Sequence, residues 1–225
     1  MNHDWTTGPY AAFLQGLLPM DDPRPAQPLH QALQAAELDA ALLRIYGQPL
    51  FDEQKPVLVS QWSKYFFMHW WPAILVTQLV HGWYLPLQLD QLGLVLNERG
   101  LPLGVKLLEE GEPGEADESL EPVVQASLRP FIERLSAYGE VPTAVLWGNA
   151  GDYLEQATVR LQALGVAVGP ALALLHSRKA ADGRGNPLYE PVRYLPDGKR
   201  QRRSCCLAYK VGWVGHCEHC PLVGP

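Results

Sequence analysis

The sequence predicts an α+β fold: a mainly helical body, a small antiparallel sheet and a metal-binding C-terminal tail. Three observations carry this. Apolar residues recur at helical spacing in three long stretches, a single turn-rich hairpin signal interrupts them, and all four cysteines of the 225-residue chain fall within its last 21 residues. At this length one chain can bury a full core, so the reading is a single domain over 1–225, with 199–225 as its metal-binding C-terminal segment.

The first helical stretch covers 26–46, where Leu29, Leu33, Leu38, Leu42, Leu43 and Tyr46 repeat on one face and Gly47 and Pro49 end it. The second, 60–82, is apolar nearly all round (Trp62, Phe66, Trp70, Trp71, Leu75, Leu79), as a buried helix would be. Pro72 predicts a bend within it. A hairpin follows, with Leu92 to Leu96 and Leu101 to Leu107 flanking Asn97-Glu98-Arg99-Gly100. Helical spacing returns over 118–138.

Pro142 to Trp147 is rich in strand formers and is read as a short strand. Asn149 is then an N-cap for a helix from about Gly151 to Leu164. Gly169-Pro170 opens another short helix to His176, residues 177–190 form a polar loop, and Val192 to Leu195 are a strand before the turn at Pro196-Asp197-Gly198.

The tail carries the chemistry. Cys205-Cys206, a ten-residue gap, then Cys217-Glu218-His219-Cys220 supply four thiols, the ligand number of an iron–sulfur cluster or a structural zinc. Zinc sites favour two to four residues between paired ligands, which Cys217/Cys220 satisfies and Cys205/Cys206 does not. Neighbouring residues of a strand point to opposite faces, so the vicinal pair must lie in a turn or helix end to serve one centre. Disulfides would need an oxidising compartment, and residues 1–20 lack the basic start, apolar run and small-residue cleavage site of a secretory signal. Spacing alone leaves iron–sulfur, zinc and disulfide chemistry all open.

Arg202-Arg203-Ser204-Cys205-Cys206, the ten-residue gap and Cys217-x-x-Cys220-Pro221-Leu222 together resemble the C-terminal signature of the FhuF-type ferric siderophore reductases. Leu146-Trp147-Gly148-Asn149-Ala150-Gly151, Asn186-Pro187-Leu188 and, more faintly, Ser60-Gln61-Trp62 extend the likeness across 50–225. The resemblance implies a [2Fe-2S] cluster on Cys205, Cys206, Cys217 and Cys220. It also implies one-electron reduction of siderophore-bound Fe(III), releasing Fe(II) for iron assimilation. The alternatives are a zinc-stapled interaction module and a siderophore-binding module without redox chemistry.

Charge and absent motifs narrow the partners. The formal net charge is −6, yet Arg193, Lys199, Arg200, Arg202 and Arg203 crowd the approach to the cysteines against Asp197 alone. That reads as a patch attracting an anionic chelate, with Arg202 and Arg203 as substrate-binding groups or supports for the metal site. It is too short, and too poor in aromatics, for nucleic acid. The acidic run from Glu109 to Glu121 is a solvated loop. Scattered histidines such as His69 and His81 read as core or interface residues, and His216 and His219 as neighbours of the thiol ligands. The glycines of 212–215 are expected to direct amide N–H groups at sulfur.

No Gly-x-Gly-x-x-Gly follows a strand, so electrons are expected from an external donor, a ferredoxin or a flavin/NAD(P)H-dependent reductase. The apolar run Trp70 to Val80 is shorter than the roughly 20 residues of a membrane span. A cytoplasmic protein is the expectation.

Overall fold

A computed structural model describes residues 7–116 and 118–223. It is α+β, built around one long buried helix. Two-residue strands β1 (Leu17–Leu18) and β2 (Gln27–Pro28) precede a short helix α1 (Leu29–Ala32) and then α2 (Ala35–Tyr46). The stretch expected as one helix over 26–46 is thus broken at Leu33-Gln34. Gly47 at φ +79° closes α2, where its amide donates to the Leu43 carbonyl. That left-handed backbone favours glycine.

Helix α3 (Gln48–Leu79) starts well before the expected residue 60. Its break is at Gln54 (φ −139°, ψ 31°), two residues ahead of Pro56, and Pro72 introduces no non-helical residue. Pro56 lacks an N–H and its ring crowds the preceding turn, so the strain is relieved upstream. Trp62, Phe66, Phe67, Trp70 and Trp71 are all essentially sealed from solvent. Phe66 stacks on Phe131 at 4.1 Å between ring centroids, and Trp62 and Phe67 also meet that ring. The aromatic row of α3 is therefore core.

After β3 (Trp83–Tyr84), the expected hairpin forms from β4 (Leu92–Leu96) and β5 (Pro102–Leu107), antiparallel. Asn97 organises the turn: its side-chain oxygen accepts from the amides of Arg99 and Leu101, and Gly100 takes φ +85°. Strands β1 and β2 extend the hairpin to a four-stranded sheet in the order β1-β5-β4-β2, with β1 parallel to β5. A second ribbon pairs β3 with β6 (Glu112–Pro113). These two-residue strands escaped the sequence reading because such short segments show no alternation.

The 118–138 stretch runs as α4 (Glu121–Val123), a wider π-type turn over Val124–Leu128, and α5 (Arg129–Gly139). The expected strand at 142–147 is absent. Helix α6 (Thr143–Ala163) occupies it, with α7 (Gly169–His176) following as anticipated. Pro142, fixed in an extended conformation, opens α6. The Gly148-Asn149-Ala150-Gly151 segment is a helix face and not a turn. A Cβ on Gly148 would sit 1.8 Å from Ser204 Oγ, and one on Gly151 would sit 2.6 Å from Pro191. Glycine is needed at both because the C-terminal segment lies directly on this face of α6. That segment pairs β7 (Val192–Tyr194) with an unanticipated β8 (Arg200–Arg202), antiparallel.

Phe131 joins α5 to the row on α3. Phe131→Ala should lower unfolding stability by about 3–5 kcal/mol, the usual cost of emptying a buried aromatic site, with the m-value retained. A urea titration followed by tryptophan fluorescence checks it.

Candidate metal centre

Strand β8 delivers the chain to its cysteines. Leu207, directly after the vicinal pair, takes a left-handed conformation at φ 65° and leads into a 3-10 turn over Ala208–Lys210. That is the turn a vicinal pair requires if both thiols are to face one centre. The second pair lies in a tight turn in which the Cys220 amide donates to the Cys217 carbonyl. Cys206 and Cys220 are buried, Cys205 and Cys217 are half-buried, and all four are free thiols.

Two sets of bonds register these turns against the body. The Cys206 carbonyl accepts from Ser60 Oγ at 2.9 Å and from Gln61 Nε2, both on α3. The Arg202 amide donates to the His219 carbonyl at 2.9 Å, tying the second pair to the strand that feeds the first. The Arg202 side chain is 2 % exposed. Its guanidinium donates to Asn149 Oδ1 at 2.6 Å and lies 3.4 Å from Asp152 Oδ2. Asn149 Nδ2 in turn reaches the Ser60 carbonyl, Ser60 Oγ and Ser63 Oγ. Asn149 therefore links α3, α6 and β8 from the middle of a helix, not from the N-cap its sequence context suggested.

The basic run does not form an open anion patch. Arg200 bonds Glu155 at 2.7 Å and reaches Asp152 at the same distance, Lys199 pairs with Asp197, Arg203 with Glu190, and Arg193 donates to Gln201. Asp152 and Glu155 come from about 40 residues upstream, so a local charge count could not include them, and Glu190 lies just ahead of the counted run. Burial takes Arg202 out of reach of a chelate arriving from solvent and makes it a support for the cysteine segment. Arg203, half exposed, stays on the surface.

The thiols sense one another. A hydrogen bond from Cys217, helped by the charges of Lys64 and Arg202, holds Cys206 at about 5, while the same bond and burial push Cys217 far above the usual thiol range. Burial, with the neighbouring Cys206 and Cys220, raises Cys205. The Leu207 amide points at Cys205 Sγ at 3.3 Å, the Ala208 amide also bonds Cys206, and His216 Nδ1 lies 3.4 Å from Cys220 Sγ. Lys64 Nζ is 3.9 Å from Cys206 Sγ. The amides of Val214 and Gly215 go to the Val211 carbonyl, and the backbone N–H groups that meet sulfur belong to Leu207 and Ala208. No three His, Cys, Asp or Glu side chains among the described residues form a ready single-ion site. The fit to an iron–sulfur group rests instead on the donor set: four free, mutually interacting thiols with N–H and cationic partners, the environment thiolate-bound clusters use.

Fold and site thus define a mainly helical protein with a four-thiol metal-binding C-terminal segment. A model described as "Ferric iron reductase FhuF-like transporter" matches residues 60–202, and one described as "FhuF 2Fe-2S C-terminal domain" matches 202–222. The chain belongs to the FhuF family, and its C-terminal segment is a 2Fe-2S domain, which decides for iron–sulfur over zinc. It is 25% identical over 217 residues to the "Ferric siderophore reductase" of Escherichia coli (strain K12), spanning 90% of this chain and 82% of that protein.

Arg202→Met should cost roughly 3 kcal/mol in the apo-protein, because it leaves Asp152 buried with one cationic partner fewer. Arg203→Met, at a surface pair, should change stability by less than about 0.5 kcal/mol. Paired urea titrations check this, and equal effects would remove Arg202 from its structural role.

Proposed function

We propose that this protein is a ferric siderophore reductase in which Cys205, Cys206, Cys217 and Cys220 hold the [2Fe-2S] group. The observation that carries the reading is the gathering of four free thiols, with N–H donors and a lysine at the sulfurs, against a rigid helical body. When bound, the group supplies one electron at a time. One electron is enough, because the hard oxygen donors of a siderophore hold Fe(III) far better than Fe(II). The chelate's iron is reduced and released, and an external donor, a ferredoxin or a flavin/NAD(P)H-dependent reductase, restores the electron.

The protein's own residues do the positioning. Ser60 and Gln61 fix the Cys206 backbone, and Arg202 fixes the second turn. Lys64 offsets thiolate charge at Cys206, and the Leu207 and Ala208 amides do so at Cys205 and Cys206. Both effects favour the more negative, reduced state and so set the potential. Four unpaired thiols also suit a reducing, cytoplasmic setting. Among the described residues no helix is long and apolar enough to cross a membrane.

Holo-protein reduced anaerobically with dithionite, then freed of excess reductant, should be reoxidised by a ferric siderophore, with Fe(II) appearing in a ferrous-specific chelator. Cys→Ser at any of the four positions should weaken or abolish the visible bands of the holo-protein. A variant keeping the full spectrum would strike that cysteine from the ligand set, and a reduced protein inert to every ferric chelate would end the reductase reading.

A further inference from the structure

A cavity of about 350 Å³ opens beside the cysteine segment, within the size range of small-molecule sites. Helix α3 contributes Gln61, Lys64 and Tyr65, the β4–β5 turn contributes Arg99, and Tyr46, Tyr153 and Trp213 complete the polar and aromatic lining. No carboxylate lines it. In a chain of net charge −6 this is unusual, and it differs from the tail's own arginines, which are taken up by Asp152, Glu155 and Glu190. Among the described residues neither Lys64 nor Arg99 is ion-paired to a carboxylate: Lys64 Nζ bonds Gln61 Oε1 at 3.1 Å, and the Arg99 backbone amide bonds Asn97.

The aromatic wall is equally specific. Trp213 belongs to the loop between the two cysteine pairs, is 68% exposed, and stacks on Tyr46 at 6.3 Å between ring centroids. A tryptophan held in an ordered stack yet left open to solvent offers a flat face to a ring-bearing ligand. Lys64 connects this cavity with the metal centre, since the ammonium that lines it also lies 3.9 Å from Cys206 Sγ.

We propose that this cavity is the docking site for the chelate, and that it selects anionic ferric complexes with aromatic oxygen donors, of the tris-catecholate type. The assignment rests on the reductase reading above and adds to it a place and a ligand class. Lys64 and Arg99 complement the negative charge, and the Tyr46–Trp213 stack meets the catechol rings. The bound chelate then shares Lys64 with the cysteine segment, so the electron would pass from the reduced centre to Fe(III) without a mobile carrier. A neutral trihydroxamate complex offers neither the charge nor the rings.

The test is a calorimetric titration of holo-protein with the gallium(III) complex of a tris-catecholate siderophore, a redox-inert stand-in for the ferric one. It runs beside a neutral gallium(III) trihydroxamate. The catecholate complex should bind at least about tenfold more tightly, and more weakly as salt screens the cations. Arg99→Glu and Trp213→Ala, both at exposed positions, should each weaken it about tenfold while leaving the visible spectrum intact. Wild-type affinity in both variants, or tighter binding of the neutral complex, overturns the site and its selectivity. If the reduced variants still pass electrons to ferric chelates at the wild-type rate, the cavity assignment falls and the reductase reading stands. If gallium catecholate binds as expected but no ferric chelate is reduced, the cavity stands and the reductase reading falls.

Discussion

One buried guanidinium organises the functional end of this molecule. Arg202 is sealed from water, and a charge in that position is tolerable only with hydrogen-bond and ionic partners. Asn149 and Asp152 supply them from α6, and Asn149 passes the constraint on to Ser60 and Ser63 of α3. The Arg202 main chain meanwhile holds the turn that bears Cys217 and Cys220. One residue thus ties a three-element interface to a two-turn thiol set. It is also the residue at which the two matched family segments meet, so that junction is a point of fixation and not a flexible linker.

Much of the body was legible because periodicity reports burial directly. The aromatic row of α3, the Asn97 turn and the short helix α7 follow from patterns that need no tertiary partner. Pro142 to Gly151 was misread for an instructive reason. Val145 and the paired glycines carry turn and strand propensity, but the glycines serve close approach between α6 and the segments holding Ser204 and Pro191. That requirement exists only once the chain has folded back, and it overrides local preference. Asn149 suffers the same fate, an apparent cap put to use as an interhelical bridge.

The candidate site divides along the same line. Cysteine spacing is local, so the thiols were visible at once. The electrostatic surroundings were not. A count along the chain set five cations against Asp197, whereas the folded protein brings Asp152, Glu155 and Glu190 to three of them and leaves Lys64, 142 residues upstream, at the sulfur of Cys206. Charge summed over sequence neighbours misplaces a field whenever the partners are distant in sequence. His216 beside Cys220 was anticipated because it adjoins a ligand, and the Tyr46–Trp213 stack was not, because its halves lie far apart.

The aromatic core centred on Phe66 and Phe131 has a bearing on how the protein is matured. Among the described residues of the segment that bears the thiols, Val211 joins the main apolar cluster and Leu207 packs against it, so most of that cluster comes from the body. The body accordingly has the means to condense before iron and sulfide arrive, unlike small metal-stapled modules whose folding energy comes from the ion. Loading then resembles fitting a part to a finished frame. A chain without its iron would keep its aromatic core and with it the frame on which a cluster can be rebuilt.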